Sequence, residues 1–469
     1  VNCRLSRLTA LLGTCALALT INLGPAIAAP KAKPAAALSS PKLAGLSQDK
    51  LDFVASIETL ARLGLTPEKL RLEIERRTPA EVDTYISDMM ATVEASKFKP
   101  GVDVGEIALN PDAPNFNAST TLRPALLDNY QREPGPFSLD KYISQRSGIP
   151  TFAHAPIAIR QADLVAGQVE VAFVGAPLDF SSGWRDAKHA PTVLRTMEGL
   201  SGVDVDTLID PGLELRIADY GDISIDYMSV ERSMNHVRMM VRDMASVGVV
   251  PFIVGGDHSL MYPDVAAMVD VYGKDKVGVV LLDAHAENVA DNDHLISDKQ
   301  AVSRLIADGI ISGKNLVQVG LRDPEASVAD ITRMRAQGVR YHTMAEIDQT
   351  GWEAVLKKAL AEVRAGPDNI FVSFDISVLD PVYATGAGRP TPNGLTMREA
   401  LPMVRRLCAE NKVVGFEMLD VAPILDASYK TAQNANAVMH ACLTGIALRK
   451  KGLTDKDYVS PLSVTHAQR

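Results

Sequence analysis

Apolar residues fall along this chain in two alternating patterns. Short continuous runs rich in Val, Ile and Leu occur at Val169–Val174, Leu215–Ala218, Val250–Val254, Val277–Leu282, Leu316–Val319, Val339–Tyr341, Ile370–Phe374 and Val413–Leu419. Runs of this length with no polar alternation suit strands buried on both faces of a parallel sheet. Most gaps between them carry helical spacing, as in Ser229–Ser246 and Trp352–Arg364. Strands alternating with helices predict a mostly parallel eight-stranded sheet covered on both sides, within one α/β domain from about 137 to 453. No internal repeat is visible.

Ahead of that domain the pattern is purely helical. From Gln48 to about Lys97, apolar positions such as Phe53, Ile57, Leu60, Leu70, Ile74, Val82, Ile86 and Met89 predict two or three helices. Thr66-Pro67-Glu68 and Thr78-Pro79-Ala80-Glu81 look like their starts, with Pro in the first turn. Residues 99–136, dense in Pro and Asn, predict an irregular connector. Residues 29–136 are thus a tether and helical arm, and 454–469 a tail.

The first residues change the picture of where the chain works. Arg4 and Arg7 precede a mostly apolar stretch, Leu8–Leu23, and Ala26-Ile27-Ala28 forms an A-x-A cleavage site. This predicts a signal peptide over 1–28 and an exported, periplasmic or extracellular protein without a membrane span after cleavage. Of four cysteines, Cys408 and Cys442 lie beyond it among apolar neighbours. Buried free thiols are expected there, with a disulfide compatible with export. The net charge of −9 argues against nucleic acid as the main partner, which needs a basic face.

The candidate chemistry gathers where strands end. The run VPFIV is followed by Gly255-Gly256-Asp257-His258, and VGVVLL by Asp283-Ala-His285-Ala-Glu287. IFVSF is followed by Asp375-Ile-Ser377. In an extended strand end, positions 283, 285 and 287 point to one side. Ligands in open α/β sheets bind at such carboxyl ends. Imidazole with carboxylate suits divalent Mn, Zn, Ni or Fe, and a carboxylate-rich set leans toward Mn. His154, His189, His236, His342 and His440 have no partner pattern and read as ordinary positions. Asp219 and Asp222 end another strand, and Asp179 and Arg185 read as possible cleft residues. The Gly/Pro-rich segment Gly386–Gly394 reads as a loop on the cleft rim.

The blocks GGDHS, DAHAE and SFDISVLDP resemble the three signatures of the ureohydrolase family: arginases, agmatinases and related guanidino-acid hydrolases. GIPTFAHAP, LVQVGLRD, ATGAGRPTPNGLTMREAL and VVGFEMLDVAP follow in family order, so the resemblance covers about 148–448. It implies a three-layer arginase-like fold, a homo-oligomer, and hydrolysis of a guanidino or amidino substrate to urea and an amine, agmatinase-like, at a manganese centre. Mn2+ is the expected ion, one or two per chain, with Ni2+ or another divalent ion as the alternative. By the same resemblance His258, Asp283, Glu287 and Asp375 would hold one ion. His285, Asp283, Asp375 and position 377 would hold the second. Asp420 would bind the cationic head of the substrate, His294 would carry a proton, and Asp219 and Asp222 would be structural or loop-positioning.

Four positions depart from the family pattern. Glu287 stands where DAHxD has Asp, and Ser377 where SFDxD has a carboxylate. His294 to Asp298 replaces the expected His-Gly-Thr, with Asp298 nearer the place of the histidine. Asp420 stands where VEVxP has Glu. Together these open two alternatives: a catalytically impaired or repurposed relative acting as a binding or partner subunit, and an amidohydrolase with a different substrate.

Overall fold

In a computed structural model of the chain, the structure describes residues 40–63, 65, 67–95, 133–136, 149–182, 186–289, 296–455 and 458. The signal region, Arg185 and His294 lie outside the described residues. The chain divides into two compact units, Val1–Met90 and Ala91–Arg469.

The described part of the first unit is helical: Gln48–Ala55, Ile57–Arg62, Pro67–Glu75 and the start of Pro79–Ala95. Four helices form where two or three were expected, because Ser56 breaks the first periodic stretch with an extended backbone. Thr78 starts the last helix through a reciprocal box: its backbone N–H donates to Glu81 Oε2 at 2.7 Å, and Glu81 N–H donates back to its hydroxyl at 3.4 Å. Arg77 lies 4.1 Å over the Tyr85 ring and pairs with Glu73 at 2.7 Å.

The second unit is built on eight strands: β1 (Val171–Ala176), β2 (Ile217–Asp222), β3 (Val250–Gly255), β4 (Val277–Leu282), β5 (Leu316–Leu321), β6 (Arg340–Thr343), β7 (Asn369–Asp375) and β8 (Lys412–Leu419). They form one sheet in the order β2-β1-β3-β8-β7-β4-β5-β6. Every pairing is parallel. The expected α/β architecture holds. Most strands run one or two residues past the apolar run, into residues that still pair. The second strand does so most, since Gly175 of β1 pairs with Asp222 after a register shift.

Helices cover both faces, and each face has its own apolar core. On one face the rings of Phe152, Phe173, Phe252 and Phe416 form a row across β1, β3 and β8, with successive centroids 5.2, 5.2 and 4.9 Å apart. Such offset and edge contacts add to the burial of the rings themselves. Beside this row Asp219, within β2, accepts from Arg195 Nε at 2.8 Å, and Asp222, at its end, accepts from Arg195 Nη1 at 2.6 Å. Both aspartates therefore anchor the Ala190–Thr196 helix, in line with a structural reading.

The expectation of free thiols is overturned. Cys408, in helix Met397–Glu410, and Cys442, in helix Lys430–Lys450, form a disulfide. The two helices pack side by side, and the Cα atoms stand 5.2 Å apart, within bridging distance. Sequence spacing carries no such information. No described helix is long and apolar enough to cross a membrane.

Candidate active site

The sheet order places the site. β3 and β4 follow one another in the chain, yet β8 and β7 lie between them. Chain direction therefore diverges at the centre of the sheet, and a crevice opens at the carboxyl ends of β3, β8, β7 and β4. His258 follows β3, Asp283 follows β4, Asp375 ends β7 and Asp420 follows β8. Backbone bonds hold these ends together: Asp420 N–H donates to Gly256 O at 2.9 Å and Asp283 N–H to Val319 O at 3.0 Å. Gly256 is required here, since a Cβ on it would meet Leu178 O at 1.6 Å.

Two ligand clusters result, and both are buried. His258, Asp283 and Asp375 form one; Asp283, His285 and Glu287 form the other; within each, one ligand atom per residue lies within 4.8 Å of the others. Asp283 belongs to both, and Glu287, which the resemblance gives to the ion of His258, lies with His285 instead. His258 Nδ1 lies 2.7 Å from Asp375 Oδ2 and 3.5 Å from Asp283 Oδ2. His285 Nδ1 lies 3.3 Å from Asp283 Oδ1 and 4.0 Å from Glu287 Oε1.

The convergence of 283, 285 and 287 has a different cause from the one the spacing suggested. In an extended strand the first and last of these would stand about 13 Å apart, too far to share an ion. β4 instead stops at Leu282, and Asp283 Oδ1 turns back to accept from His285 N–H at 2.8 Å. Glu287 adopts a left-handed backbone (φ 46°), uncommon for a residue with a side chain. Gln318 of β5 fixes the bend by donating to the carbonyls of His285 and Asp283.

Ser377 sits inside the second cluster. Its hydroxyl lies 3.1 Å from Asp283 Oδ1 and 3.3 Å from His285 Nδ1. On the other side of the ring, Thr391 Oγ1 is 3.2 Å from His285 Nε2. Arg322 ties the two flanking loops together, donating to Ser377 O at 2.8 Å and Thr391 O at 2.6 Å.

The residue that the sequence reading passed over is Arg389. The loop Gly386–Gly394 is more than a rim: the Ala387–Val421 bridge ties it to the chain beyond β8, and Arg389 N–H donates to Asp420 Oδ2 at 3.3 Å. Gly388 permits this approach, because a Cβ there would stand 2.5 Å from Asp420 Oδ1. The Arg389 side chain turns inward, only 15% exposed. Its Nη2 donates to Glu287, and its Nε lies 3.0 Å from Asp298 Oδ2. Inward Arg in a Gly/Pro-rich loop had no periodic or motif signal.

Protons in this arrangement follow the charges of the protein's own side chains. Burial works against a charged His258, but Asp283 and Asp375 outweigh it and lift its pKa well above the ordinary value. Burial resists protonation of His285 too, and Asp283 again prevails, raising it. Burial alone would raise Asp283; His258 and His285 hold it at about 2. Glu287 is pushed up to about 8 by burial, against the pull of Arg389. Burial, then Asp375, lifts Asp420 well above the carboxylate range.

The donor set of the first cluster fits a divalent cation. It combines one imidazole and two carboxylates, and Asp283 Oδ2, fully buried, accepts no hydrogen bond; such an atom calls for an ion or water. The second cluster fits less well. It offers a hydroxyl at 377 in place of a carboxylate, and its Glu287 already receives the Arg389 guanidinium.

Known proteins agree with the geometry. The sequence profile of the arginase family matches residues 169–445. The guanidinopropionase of Pseudomonas aeruginosa is 31% identical over 313 residues, 65% of this chain and 94% of that protein. The human mitochondrial guanidino acid hydrolase is 29% identical over 300 residues, 62% of this chain and 81% of that protein. Among solved structures, the formimidoylglutamase of Bacillus subtilis superposes with a TM-score of 0.56 at 29% identity, covering 60% of this chain and 88% of that one. With the profile spanning more than half its length, this chain belongs to the arginase family.

Proposed function

We propose that this chain is a metal-dependent hydrolase that cleaves a linear C–N bond in a guanidino or amidino compound, agmatinase-like, with release of urea and an amine. The observation that carries this reading is the pair of buried His/carboxylate clusters sharing Asp283 at the divergence point of the sheet. The names of the relatives support the substrate class: guanidino acid, guanidinopropionate and formimidoylglutamate are all linear amidine-type compounds. Agmatine itself rests on the resemblance of the sequence blocks.

In this reading His258, Asp283 and Asp375 hold a divalent ion, Mn2+ by family resemblance, and His285 with Ser377 flanks it. When bound, the ion supplies Lewis acidity and lowers the pKa of water toward neutrality. The protein contributes orientation and charge. Asp420, 4% exposed, faces the crevice from β8 and accepts from a cationic substrate head. A bound cation favours its ionised form. Its backbone is left-handed (φ 62°), and its side chain is one methylene shorter than the family's glutamate. His294, the proposed proton carrier, lies outside the described residues; the buried Asp298 carboxyl stands at the Arg389 end of the site.

The test is release of urea from agmatine, guanidinobutyrate and guanidinopropionate, and of formamide from formimidoylglutamate, by the Mn-loaded full chain. Turnover of one of these that is lost on chelation is the expected result. No product from any of them would sink the hydrolase reading. It would favour the second one, a repurposed binding subunit, which the Arg389–Glu287 contact in the middle of the site supports.

We also propose export. The Cys408–Cys442 disulfide supports it, since such bonds persist in oxidising compartments. Sequencing the amino terminus of the protein from the producing cells checks this: a start at Ala29 is expected, and retention of Arg4 and Arg7 would contradict it.

A further inference from the structure

Three of the four departures from the family pattern touch one residue, Arg389. The Arg389 guanidinium donates to Glu287 and stands 3.0 Å from Asp298, while its backbone N–H donates to Asp420. The fourth, Ser377, lies in the same cluster, 3.1 Å from Asp283 Oδ1. Seen from Arg389, the substitutions are coordinated. Glu287 is one methylene longer than the expected Asp and spans the gap to the guanidinium. Asp298 replaces a group that could carry positive charge with one that is negative. Ser377 removes one anion on the side where a fixed cation has been added. The guanidinium, on a side chain 15% exposed, stands within ion-pair distance of two buried carboxylates, Glu287 and Asp298. Nor is this an adventitious surface arginine, because its loop is tied to the β8 end through the Ala387–Val421 bridge, with Ala422 N–H donating to Gly386 O at 2.7 Å and Gly388 N–H to Asp420 O at 3.3 Å.

We infer that Arg389 is a resident cation that takes the electrostatic place of the second metal ion, so that this protein is a single-ion member of its family. Glu287 then serves as the partner of Arg389, and the ion is held by His258, Asp283 and Asp375. The chemistry follows from charge. A fixed guanidinium beside His285 and Glu287 repels a second dication while keeping part of the positive field that a developing negative charge would feel. Unlike an ion, it neither exchanges nor activates water.

This inference rests on the metal-dependent reading above, and the experiment separates the two. The full chain is loaded with Mn2+, desalted, and its metal counted by mass spectrometry, with affinities from isothermal titration. One ion per chain is expected. Arg389→Thr frees Glu287 and Asp298, so a second ion is expected to bind on the order of 100-fold more tightly than to the parent. Arg389→Lys keeps the charge and should still hold one. Two tight ions in the parent would overturn the inference and leave the hydrolase reading standing. None in the parent would overturn both. A count of one in folded Arg389→Thr would also overturn it. Should Arg389→Thr fail to fold, Glu287→Gln decides: the single ion is retained if Glu287 is the arginine's partner, and loss of that ion makes Glu287 a ligand and refutes the assignment.

Discussion

Nδ1 of His258 lies 2.7 Å from Oδ2 of Asp375, although 117 residues separate them in the chain. The two belong to strand ends with β8 lying between β3 and β7, so neither local turn nor helix brings them together. Asp375 also holds the Ile376–Val378 turn, accepting from Ser377 N–H at 2.7 Å. It is at once the cap of that turn and the partner of the histidine. Asp375→Asn keeps the cap in part but removes the anion. The expected outcome is a folded protein whose Mn2+ affinity falls by more than about 100-fold, since even outer partners of metal ligands cost 10–100-fold when lost. Titration calorimetry against circular dichroism checks it. Unchanged affinity would remove Asp375 from the ligand set.

Much of this site was legible before any coordinates. The strand runs that end in His258, Asp283 and Asp375 are parallel strands buried along all or nearly all of their length, and such strands announce themselves by length and by the sudden change to polar residues. The limits were set by whatever depends on tertiary approach. Glu287 reaches the cluster through a bend and a left-handed residue, while its i, i+2, i+4 spacing suggested a straight strand. Arg389 is 102 residues from Glu287 and sits in a loop whose composition speaks only of turns. The strand carrying Asp219 and Asp222 is longer than its apolar run, because ADYGD interrupts that run while buried Asp219 and exposed Asp222 both pair with Arg195. Pattern reading finds elements that bury a face; it does not find a single polar side chain aimed inward from a loop.

The disulfide has a thermodynamic consequence of its own. It closes a loop of 34 residues, and constraining a loop of that size in the unfolded chain corresponds to about 3–4 kcal/mol of stabilisation. It joins the two long helices that cover one face of the sheet, so its loss should loosen that layer first. Urea unfolding of the oxidised and reduced protein, or of the Cys408→Ala/Cys442→Ala variant, should show a lower midpoint at a similar slope. Identical midpoints would mean that the two helices are held by their apolar contacts alone.

Asp179 links the pH dependence of stability to the wall of the site. Its carboxylate accepts from Ser182 Oγ and from Ala187 N–H, each at 2.7 Å. The neighbouring Asp257 takes Phe180 N–H and Ser181 N–H at 2.9 and 2.8 Å. Two carboxylates thus hold one loop beside the turn that carries His258. Burial, and then the charge of Asp257, push the Asp179 pKa up to about 6. An unfolded aspartate titrates near 3.9, so the folded state takes up the proton at higher pH. The stabilisation this provides is complete below about pH 3.9 and is lost as pH rises through 6. Its size is on the order of 2 kcal/mol once partial solvent screening is allowed for. Asp179→Asn carries no charge and keeps one acceptor for the loop. Its stability relative to the parent should therefore improve by about that amount between pH 4 and pH 7, as read from urea midpoints across that range. A difference that stays constant with pH would show that Asp257 leaves the Asp179 charge undisturbed, and that the loop is held by hydrogen bonds alone.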